Sequence, residues 1–349
     1  MRIFRITIIC RLFLLVLLAG ILFIWYTASW SSYLWSRPVW GPAAIRVSHL
    51  CENCTADPDP LIPRIIHQTW KDEYIPKKWQ KAHGACNYWH PRSNWTHYFW
   101  TDSDARELIK AVDPEFLKIF DGYRYPIQRV DAVRYFILYE FGGIYMDLDI
   151  GCLKCLEPLL RYPAIIPKTT PIGFSNDFMA SRPKHPMFKQ MVEALPSSNQ
   201  NLILPYATVF FSTGPMFLNM HVKNYLHKEQ PLSPDTKIEY DTRVAKDANN
   251  QTYIKSMPKI TDTDSVWVLE PLLYSGGRPH SFFMHFEGNS WHSADAVFIL
   301  KFWSLISQKW TWLETLCFCM FCLFVFALFT YYRTCKRRFS LDVKTRRVD

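Results

Sequence analysis

Short stretches of hydrophobic residues in the middle of the chain have the spacing of strands. Residues 62–70 form an apolar run typical of a buried strand, and residues 95–100 alternate between apolar and polar positions. A third apolar run, residues 144–146, directly follows two glycines. We therefore predict three strands in this part of the chain.

Between these runs, apolar residues recur at the spacing of helices. Residues 102–110 begin with an acidic turn, for which Thr101 or Asp102 is a candidate N-cap. Residues 127–141 carry apolar residues at helical spacing and stop at two successive glycines, which is typical of a helix end. Strands that alternate with helices in this way predict an α/β fold with helices on both faces of the sheet.

Two longer apolar runs lie near the ends of the chain. Residues 12–30 follow three arginines and end in aromatic residues, as expected of a membrane span, and a cleaved signal peptide is the alternative. Residues 313–332 precede a basic segment and also predict a span, although Glu314 leaves a buried core helix as the alternative. Residues 296–312 have an apolar face and predict an interfacial helix or a final core helix.

The distribution of charge orients these runs. The net charge is +9, and eight of these charges lie at the ends, three before the first run and a net five after the second. Positive charge favours the cytosolic side, so we expect both ends in the cytosol and the middle in the lumen. The middle is nearly neutral, which argues against nucleic-acid binding. Sequons at Asn53, Asn94 and Asn250 agree with a lumenal middle.

These patterns predict the organisation of the whole chain, whose 49% hydrophobic and 20% charged residues exclude a disordered protein. We expect a cytosolic N-terminus (1–11), a transmembrane signal anchor (12–30), a lumenal stem (31–61), a globular domain (62–295), an interfacial helix (296–312), a transmembrane helix (313–332) and a basic cytosolic tail (333–349).

Five cysteines lie in the expected lumenal part, and two pairs of them have CxxC spacing. These pairs, Cys51 with Cys54 and Cys152 with Cys155, are almost a hundred residues apart, so we favour a disulfide or plain burial over a zinc site. Cys86 is the fifth of these cysteines, and an odd number leaves one thiol unpaired. The sequence does not fix which cysteines are joined.

Two carboxylates end the third apolar run. Asp147 and Asp149 are separated by one residue, so in an extended strand both would point to the same side. Carboxylates held together repel one another unless a cation neutralises them, and oxygen ligands suit Mg2+ or Mn2+. Such a metal could hold a diphosphate and stabilise it as a leaving group.

The residues around this pair resemble a known family. The region from Arg129 to Asp149 is similar to the DxD region of the sugar transferases that include fungal mannosyltransferases and the glycosylating clostridial toxins. Residues 125–152, with 173–177 and 212–215, most closely resemble the catalytic subunits of mannosyl-inositol-phosphorylceramide synthases. The resemblance covers the chain from about residue 62 to residue 292.

This resemblance implies a GT-A fold, that is, a Rossmann-like mixed sheet with flanking helices, and a nucleotide-sugar donor. It assigns catalysis to Asp131, Arg134, Asp149 and Asp177; donor binding to Trp70, Asp131, Arg134, Tyr145, Asp147, Asn176 and Trp291; and metal binding to Asp147, Asp149 and His285, with His292 as the alternative to His285.

The resemblance also suggests what each residue binds. Asp131 and Arg134 would bind the sugar and its diphosphate, and Tyr145 would contact a phosphate. Trp70 would stack on the base, and Trp291 would close over the phosphates. Trp70 has core packing as its alternative role, and a core histidine is the alternative for His285.

Two mechanisms are compatible with the retention of anomeric configuration that the resemblance implies. Either Asp177 attacks the sugar and forms a covalent intermediate, or the acceptor hydroxyl enters on the face from which the diphosphate leaves. We favour the second mechanism.

The substrates and partners follow mainly from the resemblance. It implies GDP-mannose as donor, Mn2+ or Mg2+ as cofactor, inositol phosphorylceramide as acceptor, a multi-span regulatory subunit as partner and a Golgi or other secretory-pathway membrane as location. The alternatives are an alpha-mannosyltransferase for protein N-glycans and a non-catalytic membrane partner of a glycosyltransferase.

Overall fold

The computed structural model describes residues 44–50, 60–169, 173–202, 204–228, 239–246, 252–277 and 279–286. Both predicted membrane spans, the predicted interfacial helix, Trp291 and His292 lie outside these residues. Among the described residues, no helix combines the length and the apolar character needed to cross a membrane.

The helices and strands of the described residues follow the predicted pattern. The helices are α1 (Lys77–Trp89), α2 (Asp102–Val112), α3 (Leu117–Asp121), α4 (Pro126–Phe141), α5 (Pro186–Ser198), α6 (Pro205–Ser212), α7 (Pro215–Lys228) and α8 (Pro271–Tyr274). The strands are β1 (Ala44–Ile45), β2 (Ile65–Thr69), β3 (Thr96–Trp100), β4 (Gly143–Met146), β5 (Ile150–Cys152), β6 (Ala164–Pro167), β7 (Phe178–Ser181), β8 (Tyr240–Lys246), β9 (Thr252–Pro258), β10 (Trp267–Leu269) and β11 (Phe283–His285). The three predicted strands are confirmed as β2, β3 and β4, and the two predicted helices as α2 and α4.

Within the described residues, seven strands form one mixed sheet in the order β1-β10-β6-β7-β4-β2-β3. Strand β7 runs antiparallel to its neighbours β6 and β4, and the other neighbouring pairs are parallel. Strand β5 pairs with β11, and β8 pairs with β9, both antiparallel. The prediction of an α/β fold with a mixed sheet is therefore confirmed.

The sheet separates two hydrophobic cores. Successive residues of a strand point to opposite faces, and on β4 the side chain of Tyr145 belongs to one core whereas Ile144 and Met146 belong to the other. The first core is formed mainly with residues of α2, α4, α5 and α7. Burial on both faces explains why β4 is an uninterrupted apolar run in the sequence.

The folded domain begins earlier than the sequence predicts. Ala44 and Ile45, which we expected in a stem, are buried and pair in parallel with Val268 and Leu269 of β10. This edge strand has only two residues, too few for a periodicity to be visible in the sequence.

The turn between α4 and β4 depends on glycine. Gly142 and Gly143 have φ angles of 65° and 88°, a region that side chains with a Cβ rarely adopt. A Cβ on Gly143 would also lie only 2.8 Å from the carbonyl oxygen of Ile65 on the neighbouring strand. The two glycines thus allow a buried helix to lead directly into a central strand.

A disulfide joins α1 to the segment that follows β4. Cys86 bonds to Cys152 across a sequence separation of 66 residues. Cys155 is a free, half-buried thiol, so the CxxC pair Cys152/Cys155 is not itself bridged. Cys51 and Cys54 lie outside the described residues.

Candidate functional site

The ends of three strands meet at one edge of the sheet. Strands β2 and β4 are parallel, so their carboxyl ends lie side by side, and the antiparallel β7 begins at the same edge. The backbone N–H of Asp147, just after β4, donates to the carbonyl oxygen of Asp177, just before β7 (2.8 Å). Topology therefore brings together two segments that are thirty residues apart in sequence.

The sequence suggested that Asp147 and Asp149 lie in a strand. In the structure they lie in a turn. Strand β4 ends at Met146, and the N–H of Ile150 donates to the carbonyl oxygen of Asp147 (3.1 Å). The alternation rule for extended chains consequently does not apply to this pair. The two carboxylates are nevertheless close enough for the charge of Asp147 to raise the pKa of Asp149.

Arg134 on α4 connects the elements of this edge. Its guanidinium is only 2% exposed and lies 3.0 Å from Oδ1 of Asp131 and 3.3 Å from Oδ1 of Asp147. It also donates to the carbonyl oxygen of Asn176 (2.5 Å). Burial alone would lower the pKa of Arg134, but the charges of its neighbours outweigh burial and raise it. The guanidinium thus stays charged and fixes the DxD turn relative to the helix.

Asp131 is held on all sides by the protein. Its Oδ1 accepts from the side-chain amide of Asn176 (2.9 Å), and its Oδ2 accepts from the hydroxyl of Thr213 (3.3 Å). Burial raises the pKa of Asp131 to about 6, although Arg134 and these hydrogen bonds oppose the shift. The carboxylate is therefore preorganised without any ligand.

Tyr145 lies behind the first carboxylate of the DxD motif. Its phenol donates to Oδ1 of Asp147 (2.9 Å) and can then accept from the hydroxyl of Thr69 at the end of β2 (2.8 Å). The guanidinium of Arg134 is 4.7 Å from the centre of its ring. Tyr145 is fully buried, so in this structure its contacts orient Asp147.

A second cluster lies beside the DxD turn and includes a tyrosine that no pattern in the sequence indicates. The hydroxyl of Tyr274 on α8 lies 2.5 and 2.6 Å from the two carboxylate oxygens of Asp177. The carbonyl oxygen of Tyr274 is 3.0 Å from Nε2 of His285. Because a carbonyl can only accept, Nε2 carries the proton of a neutral His285, and Nδ1 presents a lone pair.

Strand β11 brings His285 to the DxD turn. His285 pairs with Ile150 of β5, and the N–H of Phe286 donates to the carbonyl oxygen of Asp149 (2.8 Å). Nδ1 of His285 lies 3.9 Å from Oδ2 of Asp177. In the neutral ring, the lone pair on Nδ1 and this carboxylate would be stabilised by a cation between them.

The chemistry of the cluster suits a divalent cation. Burial, followed by the charges of Asp147 and Asp177, raises the pKa of Asp149 to about 7. Carboxylates that repel one another in this way are stabilised by a metal ion. Within the described ranges, no group of three or more His, Cys, Asp or Glu side chains is close enough to bind one by itself. Asp147, Asp149 and His285 are of the right type to hold part of a coordination shell.

Trp70 lies at the same edge of the sheet, just after β2, but packs on another tryptophan. Its ring meets Trp79 of α1 edge to face, with 4.8 Å between centroids, and its backbone N–H donates to the carbonyl oxygen of Trp100 (3.0 Å). Trp70 remains half-buried and partly accessible. The structure therefore brings together Asp131, Arg134, Tyr145, Asp147, Asn176 and Asp177, with Asp149 and His285 adjacent and Trp70 nearby.

Two other site residues were not selected from the sequence. Thr69 follows the apolar run of β2, and Thr213 lies in the Ser212–Pro215 motif, which carried the family resemblance without any role for the hydroxyl. Tyr274 has no local signal at all, because its role depends on the distant Asp177.

The chain is similar to known glycosyltransferases. Residues 76–168 match the model of a family described as "Glycosyltransferase sugar-binding region containing DXD motif". Inositol phosphoceramide mannosyltransferase 3 of Schizosaccharomyces pombe is 38% identical over 270 residues, which are 77% of this chain and 66% of that protein. Mannosyl phosphorylinositol ceramide synthase CSH1 of Saccharomyces cerevisiae is 39% identical over 242 residues, which are 69% of this chain and 56% of that protein. The chain thus spans between 56% and 66% of the length of these two relatives.

Proposed function

This chain belongs to the family of glycosyltransferases with a DXD-containing sugar-binding region, and we propose that it transfers mannose from GDP-mannose to inositol phosphorylceramide. The observation that carries the proposal is the buried Arg134, which holds Asp131 and Asp147 at the edge of the sheet where Asp149 and Asp177 also lie. The donor and the acceptor are proposed from the relatives, whose names specify a mannosyltransferase and inositol phosphoceramide. The GT-A fold expected from the sequence is part of this proposal.

We assign Mn2+ or Mg2+ to Asp147, Asp149 and His285, with His292 as the alternative to His285. When bound, the metal would neutralise the negative charge that develops on the departing diphosphate. Arg134 supplies a second, permanent positive charge in the same place. Asp131 would accept a hydrogen bond from the sugar, and Asn176 would donate one to it. Tyr145 would act through Asp147. Trp70 would stack on the base, and Trp291 would close over the phosphates.

The environment of Asp177 supports a same-face mechanism. The hydroxyl of Tyr274 lies 2.5 and 2.6 Å from the two oxygens of Asp177, and the hydrogen bond that it donates stabilises the carboxylate and weakens it as a nucleophile. We therefore propose that Asp177 orients the sugar and that the acceptor hydroxyl attacks from the side of the leaving diphosphate. The proton of the hydroxyl passes to an oxygen of that diphosphate.

We propose that the catalytic domain lies on the lumenal side of a secretory-pathway membrane, that of the Golgi. The Cys86–Cys152 disulfide supports this location because such bonds persist in oxidising compartments. The membrane spans at 12–30 and 313–332 and a multi-span regulatory subunit remain part of the proposal.

The test uses membranes that contain the full chain, supplied with labelled GDP-mannose, Mn2+ and inositol phosphorylceramide. The compared variants are Asp149→Asn and, as the control, Glu115→Gln, an exposed carboxylate far from the DxD turn in sequence. We expect label in the lipid with the wild type and the control, and a loss of at least about a hundredfold with Asp149→Asn. Label in a protein N-glycan but not in lipid would replace the proposal by the N-glycan alternative. Folded protein that neither transfers nor hydrolyses the donor would favour a non-catalytic partner.

A further inference from the structure

Helix α6 has apolar side chains where a helix in contact with water would carry polar ones. Together with the residue that precedes the helix, its exposed and half-buried side chains are all apolar: Leu204, Pro205, Ala207, Phe210 and Phe211. The buried side of the helix, in contrast, includes the hydroxyls of Thr208 and Ser212. Hydroxyls inside and apolar side chains outside are the reverse of the pattern expected of a helix that faces water.

Two exposed leucines before α6 are held in place by hydrogen bonds. Leu202 is 37% exposed and Leu204 is 42% exposed. The buried hydroxyl of Thr208 accepts from the N–H of Leu202 (2.9 Å) and lies 3.1 Å from the carbonyl oxygens of both leucines. Leu204, Ala207 and Phe211 are three and four positions apart, so they share one side of the helix. We call these three residues and Leu202 the apolar face of α6.

The sequence around this face carries no charge. Residues 194–222 contain no Asp, Glu, Lys or Arg, whereas a 20% share of these 29 residues would be about six. An exposed apolar patch of this kind marks a surface that contacts a membrane, a ligand or another protein. If the apolar face entered a membrane, no charged side chain of this segment would have to leave water.

The carboxyl end of α6 lies beside the residues that we propose bind the sugar. The side-chain amide of Gln128 donates to the hydroxyl of Ser212 (2.8 Å), and the hydroxyl of Thr213 donates to Oδ2 of Asp131 (3.3 Å). The phenol of Tyr135 donates to the carbonyl oxygen of Thr213 (2.8 Å). A helix of eight residues is about 12 Å long, so the apolar face extends only about this far from the end that is fixed beside Asp131.

The chemistry of the proposed acceptor determines what lies against this face. The inositol ring is attached to hydrocarbon chains that stay in a bilayer, and the polar layer on each side of a bilayer is only about 5–8 Å thick. The protein surface next to the sugar-binding residues must therefore approach the membrane when the ring reaches them. An uncharged apolar face suits this place, because its side chains are stabilised at the boundary between headgroups and acyl chains.

We propose that the apolar face of α6 enters the surface of the membrane that carries the acceptor lipid and thereby brings the sugar-binding residues to the lipid headgroup. This inference rests on the proposed function for the lipid nature of the acceptor. The face contacts the bilayer and is not a pocket for the ceramide of a single acceptor molecule. Its role is to position the domain, and it takes no part in the chemistry.

The first test locates the apolar face without catalysis. The full chain is reconstituted in vesicles of phosphatidylcholine and phosphatidylinositol, and Leu204→Cys is labelled with an environment-sensitive fluorophore. The control is Val112→Cys, because Val112 is 37% exposed at the last residue of α2, about 15 Å along that helix from its start beside β3. The signal of identically treated wild type is subtracted, since Cys155 is a free thiol. We expect nitroxide-labelled lipid to quench the probe at position 204, and aqueous iodide to quench the probe at position 112.

The second test measures transfer to acceptor in a bilayer by the double variant Leu202→Ser/Leu204→Ser. Leu204 is the N-cap of α6 and makes no side-chain cap, so serine is favourable there and the thermal unfolding should match that of the wild type. The acceptor KM should rise at least about tenfold, and the GDP-mannose KM should stay within about twofold. The apolar variant Leu202→Met/Leu204→Met and the control Val112→Ser should both keep the acceptor KM of the wild type.

The outcomes separate this proposal from the proposed reaction. Equal lipid quenching at positions 204 and 112 overturns the membrane contact, whether another segment of this chain, a second copy or another protein then covers the face. A rise in KM that is as large for a short-chain acceptor supplied as monomers in water assigns the face to the ceramide of the acceptor and also overturns the membrane contact. Lipid quenching at position 204 in a protein that labels no lipid leaves the contact standing and overturns the proposed reaction.

Discussion

At the scale of single residues, the site is built from side chains that bind one another before any substrate arrives. Arg134, Asp131 and Asn176 form a closed network, which Arg134 connects to Asp147 and Asp131 connects to Thr213. Such a network restricts its own rotamers, so little ordering remains to be done when the donor binds. Truncation of one member would leave another buried charge unpaired, which makes these positions unsuitable for a clean functional test.

Tyr274 offers a cleaner test because its hydroxyl can be removed without loss of packing. The phenol donates to the carboxylate of Asp177, and its ring packs 6.1 Å from Phe283 and 4.8 Å from His285 between centroids. We expect Tyr274→Phe to keep the fold and to lower kcat about 10- to 100-fold, the value of a hydrogen bond to a charged group. The readout is the transfer assay at saturating donor.

Tyr88→Phe is the matched control, since that tyrosine is exposed and lies at the end of α1. It should leave kcat unchanged. If Tyr274→Phe also left kcat unchanged, Asp177 would not depend on this tyrosine for its orientation.

At the scale of helices and strands, the sequence predicts what is local. Helix α2 was recognisable because Thr101 caps it, with its hydroxyl accepting from the N–H of Asp104 (3.2 Å), and α4 because it ends at two glycines. The turn that holds Asp147 and Asp149 was not predicted, because the strand that follows it, β5, pairs with the distant β11 and leaves no local signal. The edge strand β1 and the Cys86–Cys152 bond depend on distant partners and leave no periodic pattern.

The residues of the candidate site likewise divide into those that the sequence indicates and those that only the fold reveals. Family resemblance selected Asp131, Arg134, Asn176 and Asp177, and the structure brings them together, while their roles in donor binding stay predictions. Tyr274 could not be found, because it approaches Asp177 across ninety-seven positions of sequence. Contacts of this range are set by topology and not by a motif.

The junction between α4 and β4 predicts opposite effects for two glycine substitutions. Gly143→Ala places a Cβ 2.8 Å from a backbone oxygen at a φ of 88°, so strain has no easy relief and the protein should be strongly destabilised. Gly84→Ala lies within α1, where a Cβ meets nothing within 4 Å, and should stabilise the protein by up to about 1 kcal/mol.

Thermal unfolding of both variants and of the wild type measures these changes in stability. A Gly143→Ala protein with an unchanged Tm would show that β2 and β4 can separate at this point.

The disulfide between α1 and β5 should stabilise the protein substantially. A closed loop of 66 residues lowers the entropy of the unfolded chain, which corresponds to about 4 kcal/mol in the chain-entropy model. We expect the double variant Cys86→Ala/Cys152→Ala to lose stability of this order, whereas Cys155→Ser should lose little, because this thiol is free.

Urea unfolding under non-reducing conditions gives the free energy of unfolding of the double variant and of Cys155→Ser. Equal midpoints for the double variant and the wild type would mean that the disulfide contributes nothing beyond the packing of α1 on β5.

At the scale of the whole molecule, the central sheet determines where chemistry can occur. Strands β4 and β7 are covered on both faces by hydrophobic cores, so polar side chains of the segments that adjoin them meet at the ends of the strands. The parallel β2–β4 pair and the antiparallel β4–β7 pair place Thr69, Asp147 and Asp177 at one such end. The site is therefore a consequence of the strand order as much as of its residues.

Buried histidines distributed over the molecule predict a loss of stability in acid. His67, His90 and His185 are fully buried, and burial lowers the pKa of each to about 4. In His90, Nδ1 donates to the carbonyl oxygen of Cys86 and Nε2 accepts from the N–H of Leu156, both at 2.9 Å, so protonation would set two N–H groups against each other. The folded state therefore needs the neutral ring.

The sign of the effect follows from proton binding by the unfolded chain. Between pH 6.5 and about 4, the unfolded chain takes up protons on these histidines and the folded state does not, so the free energy of unfolding falls as the pH falls. Each histidine contributes a loss of about 2 kcal/mol between pH 7 and pH 5. Asp131 and Asp149 oppose this trend, because their raised pKa lets the folded state bind protons first.

A single substitution isolates one histidine from these opposing groups. In His67→Gln, the amide can still donate to the carbonyl oxygen of Gly142, which Nε2 approaches to 2.9 Å in the wild type, but the side chain no longer titrates. Urea unfolding of the full chain at pH 7 and pH 5 should therefore show about 2 kcal/mol less loss for His67→Gln than for the wild type. His280→Gln, at an exposed position, should behave like the wild type. An equal loss in all three proteins would mean that His67 is already protonated in the folded state, and that its burial does not govern the acid sensitivity of the sheet.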